Sequence, residues 1–268
     1  MSKFTDSQYL KNDQYRDSSN LDARVLIHQR YSTNPYGWFR WVFDHLVTLP
    51  ENAKVLELGC GHGNLWKENV DQIPTGWQVT LSDLSPGMLD AAWRNLVITG
   101  RAFKFEEIDA GSIPYEEESF DAVIANHMLH HLPARPKALK EIKRILMPGG
   151  CLFATTVGER HMKEMNAWLS RVREDRHSVV FHLPFLLENG AEQLQQFFDM
   201  VKMDRYSDNL EVSAIEPIIA YIHSGFSSDD IVDSELAKLQ LELELELEQK
   251  GKIFIAKDSG LFTAVKEE

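Results

Sequence analysis

The strongest constraint on the fold is the regular alternation of short apolar segments and helical segments between Ala53 and Val157. Continuous apolar strands separated by helices are typical of parallel sheets that helices cover on both faces. Because the connections between such strands are right-handed crossovers, this part of the chain is predicted to form a doubly wound α/β sheet. The predicted strands are Lys54–Leu58, Trp77–Ser82, Phe103–Glu107, Ala122–Asn126 and Cys151–Thr156.

Serine, proline and glycine residues mark the ends of the intervening helices. Ser85 followed by Pro86 predicts a serine N-cap and a proline in the first turn of a helix that runs to about Ile98. Pro136 begins another predicted helix, and the run 148–150 (Pro-Gly-Gly) predicts its end before the fifth strand.

A leader (residues 1–50) and a tail (residues 158–268) flank the core (residues 51–157) in what we expect to be one structural domain. The leader is predicted to be helical, with aromatic residues near its end that suit a lid. The tail is predicted to contain a strand, Met200–Tyr206, and helices at about 159–176, 213–223 and 230–249. Lys252–Ala256 and Leu261–Val265 are predicted to form a hairpin around Lys257-Asp258-Ser259-Gly260. Residues 181–185 are a second candidate lid segment.

The repeat LELELELE (residues 241–248) has the two-residue period of a strand. Leucine and glutamate are nevertheless both strong helix formers, and neither is β-branched. In a wider window the leucines recur at helical spacing: Leu236, Leu239, Leu243 and Leu247. We therefore predict a helix here, with a short amphipathic strand as the alternative.

Composition restricts the partners of this chain. The net charge is −13, from 28 Lys and Arg against 41 Asp and Glu, which disfavours nucleic acid and anionic membranes as partners. No apolar run is long enough to span a membrane, and the first residues do not resemble a secretory signal. Cys60 and Cys151 are expected to be free thiols in a cytoplasmic protein. We expect a monomer or a homodimer.

A glycine-rich loop follows the first predicted strand, with the sequence Gly59-Cys60-Gly61-His62-Gly63. Glycines let the backbone approach a ligand closely, and the backbone N–H groups of such a loop can hold an anionic group. A dinucleotide-binding loop would have a third glycine at the position of Asn64. The loop therefore favours a nucleotide-type cofactor other than NAD.

Acidic and amide side chains follow the other predicted strands. Asp83 ends the second strand and is placed to accept the two hydroxyls of a ribose. Asp109, after the third strand, is placed to accept a hydrogen bond from an adenine amino group. Asn126 ends the fourth strand. Because the carboxyl ends of parallel strands share one edge of the sheet, we expect these side chains to surround one ligand.

Four segments taken in order resemble the class I S-adenosylmethionine-dependent methyltransferases, in particular their small-molecule, ubiquinone/menaquinone-type branch. The segments are VLELGCGHG, LSDLSPGMLDAA, IDAGSIPYEEESFDAVIANHMLHHL and LKEIKRILMPGGCL, which span roughly residues 50–157. The resemblance implies a Rossmann-like, mostly parallel seven-stranded sheet with a helical leader and a helical lid insertion in the tail.

The resemblance also implies S-adenosylmethionine as the cofactor. The residues expected to bind it are Glu57, Gly59, Cys60, Gly61, Asp83, Leu84, Met88, Asp109, Ala110 and Asn126. His62 stands where the family usually has a small or hydroxyl residue, so it is a candidate for contact with the cofactor or the acceptor.

The implied reaction is in-line transfer of a methyl group to a small-molecule acceptor. Such a reaction mainly requires alignment and exclusion of water, and a general base is needed only for a hydroxyl or a protonated amine. The candidate catalytic residues are His131, His127 and Tyr31. No metal site is expected, since the paired histidines lack a third ligand at useful spacing. The alternatives are a peptide or protein acceptor, a silent cofactor-binding module and an NAD-dependent oxidoreductase.

Overall fold

The computed structural model describes residues 5–172, 183–225 and 231–267. The strands are β1 (Lys54–Leu58), β2 (Gln78–Asp83), β3 (Lys104–Glu107), β4 (Phe120–Asn126), β5 (Leu146–Val157), β6 (Met200–Tyr206), β7 (Asn209–Val212), β8 (Ile253–Ala256) and β9 (Ser259–Val265). The helices are α1 (Ser7–Tyr9), α2 (Ser19–Tyr31), α3 (Trp38–Leu46), α4 (Asn64–Lys67), α5 (Pro86–Val97), α6 (Arg135–Ile145), α7 (Lys163–Val172), α8 (Gly190–Leu194), α9 (Glu216–Gly225) and α10 (Asp233–Lys250).

Seven strands form one mixed sheet in the order β3-β2-β1-β4-β5-β9-β6. Strands β1 to β5 are parallel, and β9 is antiparallel to both of its neighbours, β5 and β6. The order reverses at β1, which places the ends of β1 and β4 at the switch point where open α/β sheets bind ligands. The predicted doubly wound, mostly parallel seven-stranded sheet is confirmed.

Helices cover both faces of this sheet because its central strands are apolar on both sides. One face packs on α3, α4 and α5 through residues such as Phe43, Trp66 and Leu96. The other face packs on α6 and α8 through residues such as Ile142 and Leu194. Ser85 caps α5 as predicted, since its side chain accepts a hydrogen bond from the Met88 N–H.

A third apolar core lies outside the main sheet and defines a lid. It joins α2 from the leader to α7, α9, α10 and the two-stranded sheet of β7 and β8. The chain enters most of this lid after β6 and returns to the main sheet at β9. Among the described residues, no helix is long and apolar enough to cross a membrane.

The LELELELE segment is helical, as predicted from its wider leucine spacing. It forms most of the second half of α10, in which Leu239 and Leu243 are fully buried. Leu241 and Leu245, each two residues after one of these leucines, face solvent and are 58% and 49% exposed. The two-residue alternation is therefore accommodated by a helix that leaves two of the four leucines of the repeat outside the core.

The predicted hairpin of the last two strands is wrong. β8 pairs with β7, whereas β9 inserts between β5 and β6. The sequence pattern predicts Ser259 and Gly260 in a turn, but both residues lie inside β9. A side chain at Gly260 would collide with the carbonyl oxygen of Asp204 on β6, at 2.6 Å from the Cβ position. The glycine therefore serves close strand packing and not a turn.

Other predicted elements differ from the structure mainly at their ends. The helix predicted at 159–176 is α7, and residues 173–176 lie outside the described residues. The fifth strand starts at Leu146, because the Pro-Gly-Gly run continues the strand after α6 ends. Of the proposed lid segment 181–185, residues 181 and 182 lie outside the described residues. Phe185 belongs to the main core, with its ring 5.8 Å from that of Phe262.

Candidate active site

The glycine loop (Gly59–Gly63) turns sharply at the end of β1. Gly59, Gly61 and Gly63 have φ angles of 69°, 52° and 70°, which favour glycine. The loop is also packed closely: a Cβ at Gly59 would lie 3.0 Å from Cβ of Met128, just after β4. Three of the five loop residues therefore have no side chain, and such a loop allows a ligand to approach its backbone closely.

Glu57 joins the ends of β1 and β4 beneath this loop. The side chain is buried, and its two oxygens accept hydrogen bonds from Asn126 Nδ2 at 2.8 Å and Trp66 Nε1 at 2.6 Å. Burial raises the pKa of the Glu57 carboxyl to about 7, although both hydrogen bonds act in the opposite direction. The predicted cofactor residues Glu57 and Asn126 are therefore in direct contact.

Asp83 joins the end of β2 to the same loop. One carboxylate oxygen accepts from the Gly61 N–H at 3.1 Å and the other from the Ser85 N–H at 2.9 Å. Burial raises the pKa of Asp83, while these backbone donors lower it. A carboxylate has about four lone-pair sites, so two backbone donors leave acceptor capacity for ribose hydroxyls.

The remaining predicted cofactor residues lie around this edge with different exposure. Asp109 is exposed and its Oδ1 accepts from the Gly111 N–H at 2.7 Å, so in this structure it stabilises the turn after β3. Ala110 and Met88 are buried, and Leu84 is half-buried. Cys60 is a buried free thiol whose pKa is raised, chiefly by burial, so it is protonated.

The leader lies across the carboxyl ends of the central strands. The Tyr15 carbonyl accepts from the Ser85 hydroxyl at 2.7 Å, which fixes the leader at the start of α5. His62 of the glycine loop is buried and faces the leader, with Nε2 3.3 Å from Oδ1 of Asp22. Lys11 forms an ion pair with Glu107 at the end of β3. We call the carboxyl ends of β1 to β4 the cofactor edge, since the predicted cofactor residues lie there. Residues that precede α2 or lie within it cover this edge.

The three predicted catalytic residues occupy different surroundings. His131 Nε2 lies 3.1 Å from the hydroxyl of Tyr15 in the leader. His127 has a positive φ of 47°, and its ring lies 5.3 Å from that of Trp38. Burial lowers the pKa of His127 to about 4. Tyr31 packs against the lid core and is not brought to the strand ends with the two histidines.

Sequence reasoning missed a buried polar group at the junction of lid and sheet. It consists of His28, His161, Asp208 and Lys257, which come from four separate parts of the chain. No local motif indicates these residues, and the sequence pattern predicts Lys257 in a turn. Only their charge and their position between apolar segments distinguish them in the sequence.

Comparison with known proteins agrees with this geometry. Residues 56–154 match the methyltransferase domain family model. A ubiquinone biosynthesis O-methyltransferase of Idiomarina loihiensis is 30% identical over 176 residues, which cover 65% of this chain and 68% of that protein. A malonyl-[acyl-carrier protein] O-methyltransferase of Enterobacter lignolyticus is 29% identical over 195 residues, 70% of this chain and 74% of that protein.

The fold is shared with a solved structure that contains the cofactor. The phosphoethanolamine N-methyltransferase 2 of Haemonchus contortus, in complex with S-adenosyl-L-methionine, superposes with a TM-score of 0.61 at 19% identity. The match covers 100% of this chain and 61% of that one. The chain belongs to the class I S-adenosylmethionine-dependent methyltransferases. It is therefore an enzyme that uses S-adenosylmethionine, and the NAD alternative is excluded.

Proposed function

We propose that the protein methylates a small molecule held between the strand ends and the lid, and that it belongs to the small-molecule branch of its family. The observation that carries the proposal is the leader, which covers the cofactor edge through Tyr15, Asp22 and Lys11. A covered edge suits an acceptor that can be enclosed. Two relatives are named as methyltransferases of ubiquinone biosynthesis and of malonyl-[acyl-carrier protein], and these names support a small acceptor group.

The residues at the cofactor edge fit S-adenosylmethionine. Gly59 and Gly61 have the positive φ angles that turn the loop, and we assign contact with the methionine part to the loop backbone there. Asp83 retains acceptor capacity for the ribose. We assign the adenine contacts to Leu84, Asp109 and Ala110. Met88 is buried on α5, in a position that suits packing under the base as well as the core.

When bound, the cofactor supplies a methyl group on a sulfonium, which is an activated leaving group. The task of the protein is therefore to align acceptor and methyl in line and to exclude water. Glu57 and Asn126 fix the floor of the site, and the leader closes it. If the acceptor is a hydroxyl, we assign the general base to His131, whose Nε2 lies 3.1 Å from the Tyr15 hydroxyl in the leader. Tyr31 has no part in this proposal.

Two measurements test the proposal. Calorimetry should show binding of S-adenosylmethionine and S-adenosylhomocysteine and no competing binding of NAD. The protein is then incubated with S-adenosylmethionine and either small-molecule pools or peptide pools, and products are scored by a mass increase of one methyl group. We expect products only from the small-molecule pools. Products only from the peptide pools would establish the protein or peptide alternative instead.

A further inference from the structure

Four basic or imidazole side chains meet where the lid joins the sheet, and we call them the histidine cluster: His28, His127, His161 and Lys257. They come from α2, from the end of β4, from the segment before α7 and from the connection between β8 and β9. The ring centroids of His28 and His161 are 6.2 Å apart. The cluster thus combines the leader, the sheet and the lid in one place.

Lys257 is held in the cluster by a buried ion pair. Its ammonium contacts the Asp208 carboxylate, and the two side chains are 6% and 0% exposed. Asp208 also accepts hydrogen bonds from four other donors, which belong to Ser32, Thr33, Asn34 and Asn209. Because five donors share this one carboxylate, its charge is only partly directed at Lys257. The ammonium keeps its remaining N–H donors for another partner.

The histidines of the cluster are uncharged, and Lys257 is the cation among its four members. Burial lowers the pKa of His28, of His127 to about 4 and of His161 to about 3. In each case the positive charge of Lys257 lowers the pKa further. Asp208 is the carboxylate that pairs with Lys257. The three rings are therefore neutral hydrogen-bonding groups, and the ammonium of Lys257 acts on each of them.

Hydrogen-bond donors are available in the same cluster. The Asp258 N–H donates to Nδ1 of His161 at 3.2 Å, so the neutral ring carries its proton on Nε2 and can donate from there. Nδ1 of His28 is buried and has no hydrogen-bond partner among the described residues. A buried polar atom without a partner is costly, and a ligand that supplies one relieves that cost. In the described part of the chain, no three His, Cys, Asp or Glu side chains are arranged to hold a metal ion.

The cluster adjoins the cofactor edge. His127 directly follows Asn126, whose amide is hydrogen-bonded to Glu57 under the glycine loop. The His127 N–H donates to the Thr155 hydroxyl at 3.0 Å, which fixes its left-handed backbone conformation. A group bound at the cluster therefore lies beside the edge at which we assign the cofactor.

We propose that the histidine cluster is an acceptor-binding subsite that holds an acidic group of the acceptor, a carboxylate or a phosphate, through Lys257 and imidazole N–H groups. This inference rests on the proposed function, since it names the chemical class of the acceptor. The cluster binds and orients the acceptor, and no bond is formed or broken there.

The test is calorimetry of succinate and of inorganic phosphate binding to the protein loaded with S-adenosylhomocysteine. Succinamide, the neutral counterpart of succinate, is the ligand control. Removal of Lys257 alone would leave Asp208 buried without its partner, so the variant is K257M/D208N, which removes both charges. We expect at least one anion to bind the wild type and to bind this variant roughly 10- to 100-fold more weakly.

K252M is the matched protein control, because Lys252 pairs with Glu211 on the surface of the same lid sheet. It should bind the anions within about twofold of wild type. Failure of both anions to bind, or equal binding by K257M/D208N, would overturn the inference. Binding of succinamide as tight as that of succinate would also overturn it. Selective binding of succinate or of phosphate identifies which acidic group is recognised.

Failure of the proposed function gives a different pattern. If the wild type binds S-adenosylhomocysteine and methylates only uncharged small molecules, the function stands and the acidic subsite does not. If products arise only from peptide pools, the small-molecule proposal fails, whatever the anions do.

Discussion

The cofactor edge and the histidine cluster adjoin each other, yet the chain builds them in opposite ways. The cofactor edge, as we assign it, uses residues between Glu57 and Asn126, most of them at or just after the end of a parallel strand. The histidine cluster uses residues from His28 to Lys257, which meet only where the lid packs on the sheet. The first site follows from local patterns plus sheet topology. The second depends on long-range packing between the lid and the sheet.

The largest expected effect is on the free energy of unfolding, and it shows whether the histidine cluster stabilises the fold. Lys257→Met should destabilise the protein by about 3–5 kcal/mol, because it leaves the Asp208 charge buried and unpaired. K257M/D208N should recover much of this loss. Urea unfolding gives the free energies, with Lys252→Met as an exposed control expected to cost at most about 1 kcal/mol. A Lys257→Met protein as stable as wild type would show that the pair is not buried as described.

A change of similar size in the free energy of unfolding is expected with pH, and it concerns Glu57 at the cofactor edge and not the histidine cluster. The folded-state pKa of Glu57 is raised from 4.5 to about 7, so the contribution of Glu57 to stability falls as pH rises from about 5 to about 8. A shift of this size corresponds to roughly 3 kcal/mol. Urea unfolding at several pH values should therefore show wild type losing stability relative to Glu57→Gln over that range. Parallel profiles for the two proteins would exclude a raised pKa at Glu57.

A smaller effect is expected for cofactor affinity. Asp83→Ala removes a carboxylate that we assign to the ribose hydroxyls, so affinity for S-adenosylhomocysteine should fall by about 1.5–3 kcal/mol. Calorimetry measures this change, and Asp90→Ala on the exposed side of α5 is the control. If the comparison of the two sites holds, K257M/D208N leaves this affinity unchanged. Equal affinities for Asp83→Ala and wild type would remove Asp83 from the cofactor site.

The sheet could be predicted from sequence because each step has a local signal. Apolar runs predict the strands, and Ser85 and Pro86 predict a helix start. Polar residues at the strand ends indicate the cofactor edge that we propose. The tail lacked such signals. A glycine such as Gly260 is equally compatible with a turn and with a closely packed strand. The close contact with β6, which distinguishes the two, is visible only in the structure. Tyr15 and Lys257 gain their roles from contacts with residues more than 40 positions away.

The pairing at the base of the lid has a further consequence. Tyr206, the last residue of β6, is directly opposite Ser259, the first residue of β9. The whole excursion from 207 to 258 therefore leaves and rejoins the sheet at a single rung of the ladder. An insertion with its two ends already held together adds little closure entropy as it lengthens. We therefore expect that this segment can be replaced without a change in the sheet. Relatives with the same cofactor edge could then differ in this segment and in the acceptor that they bind.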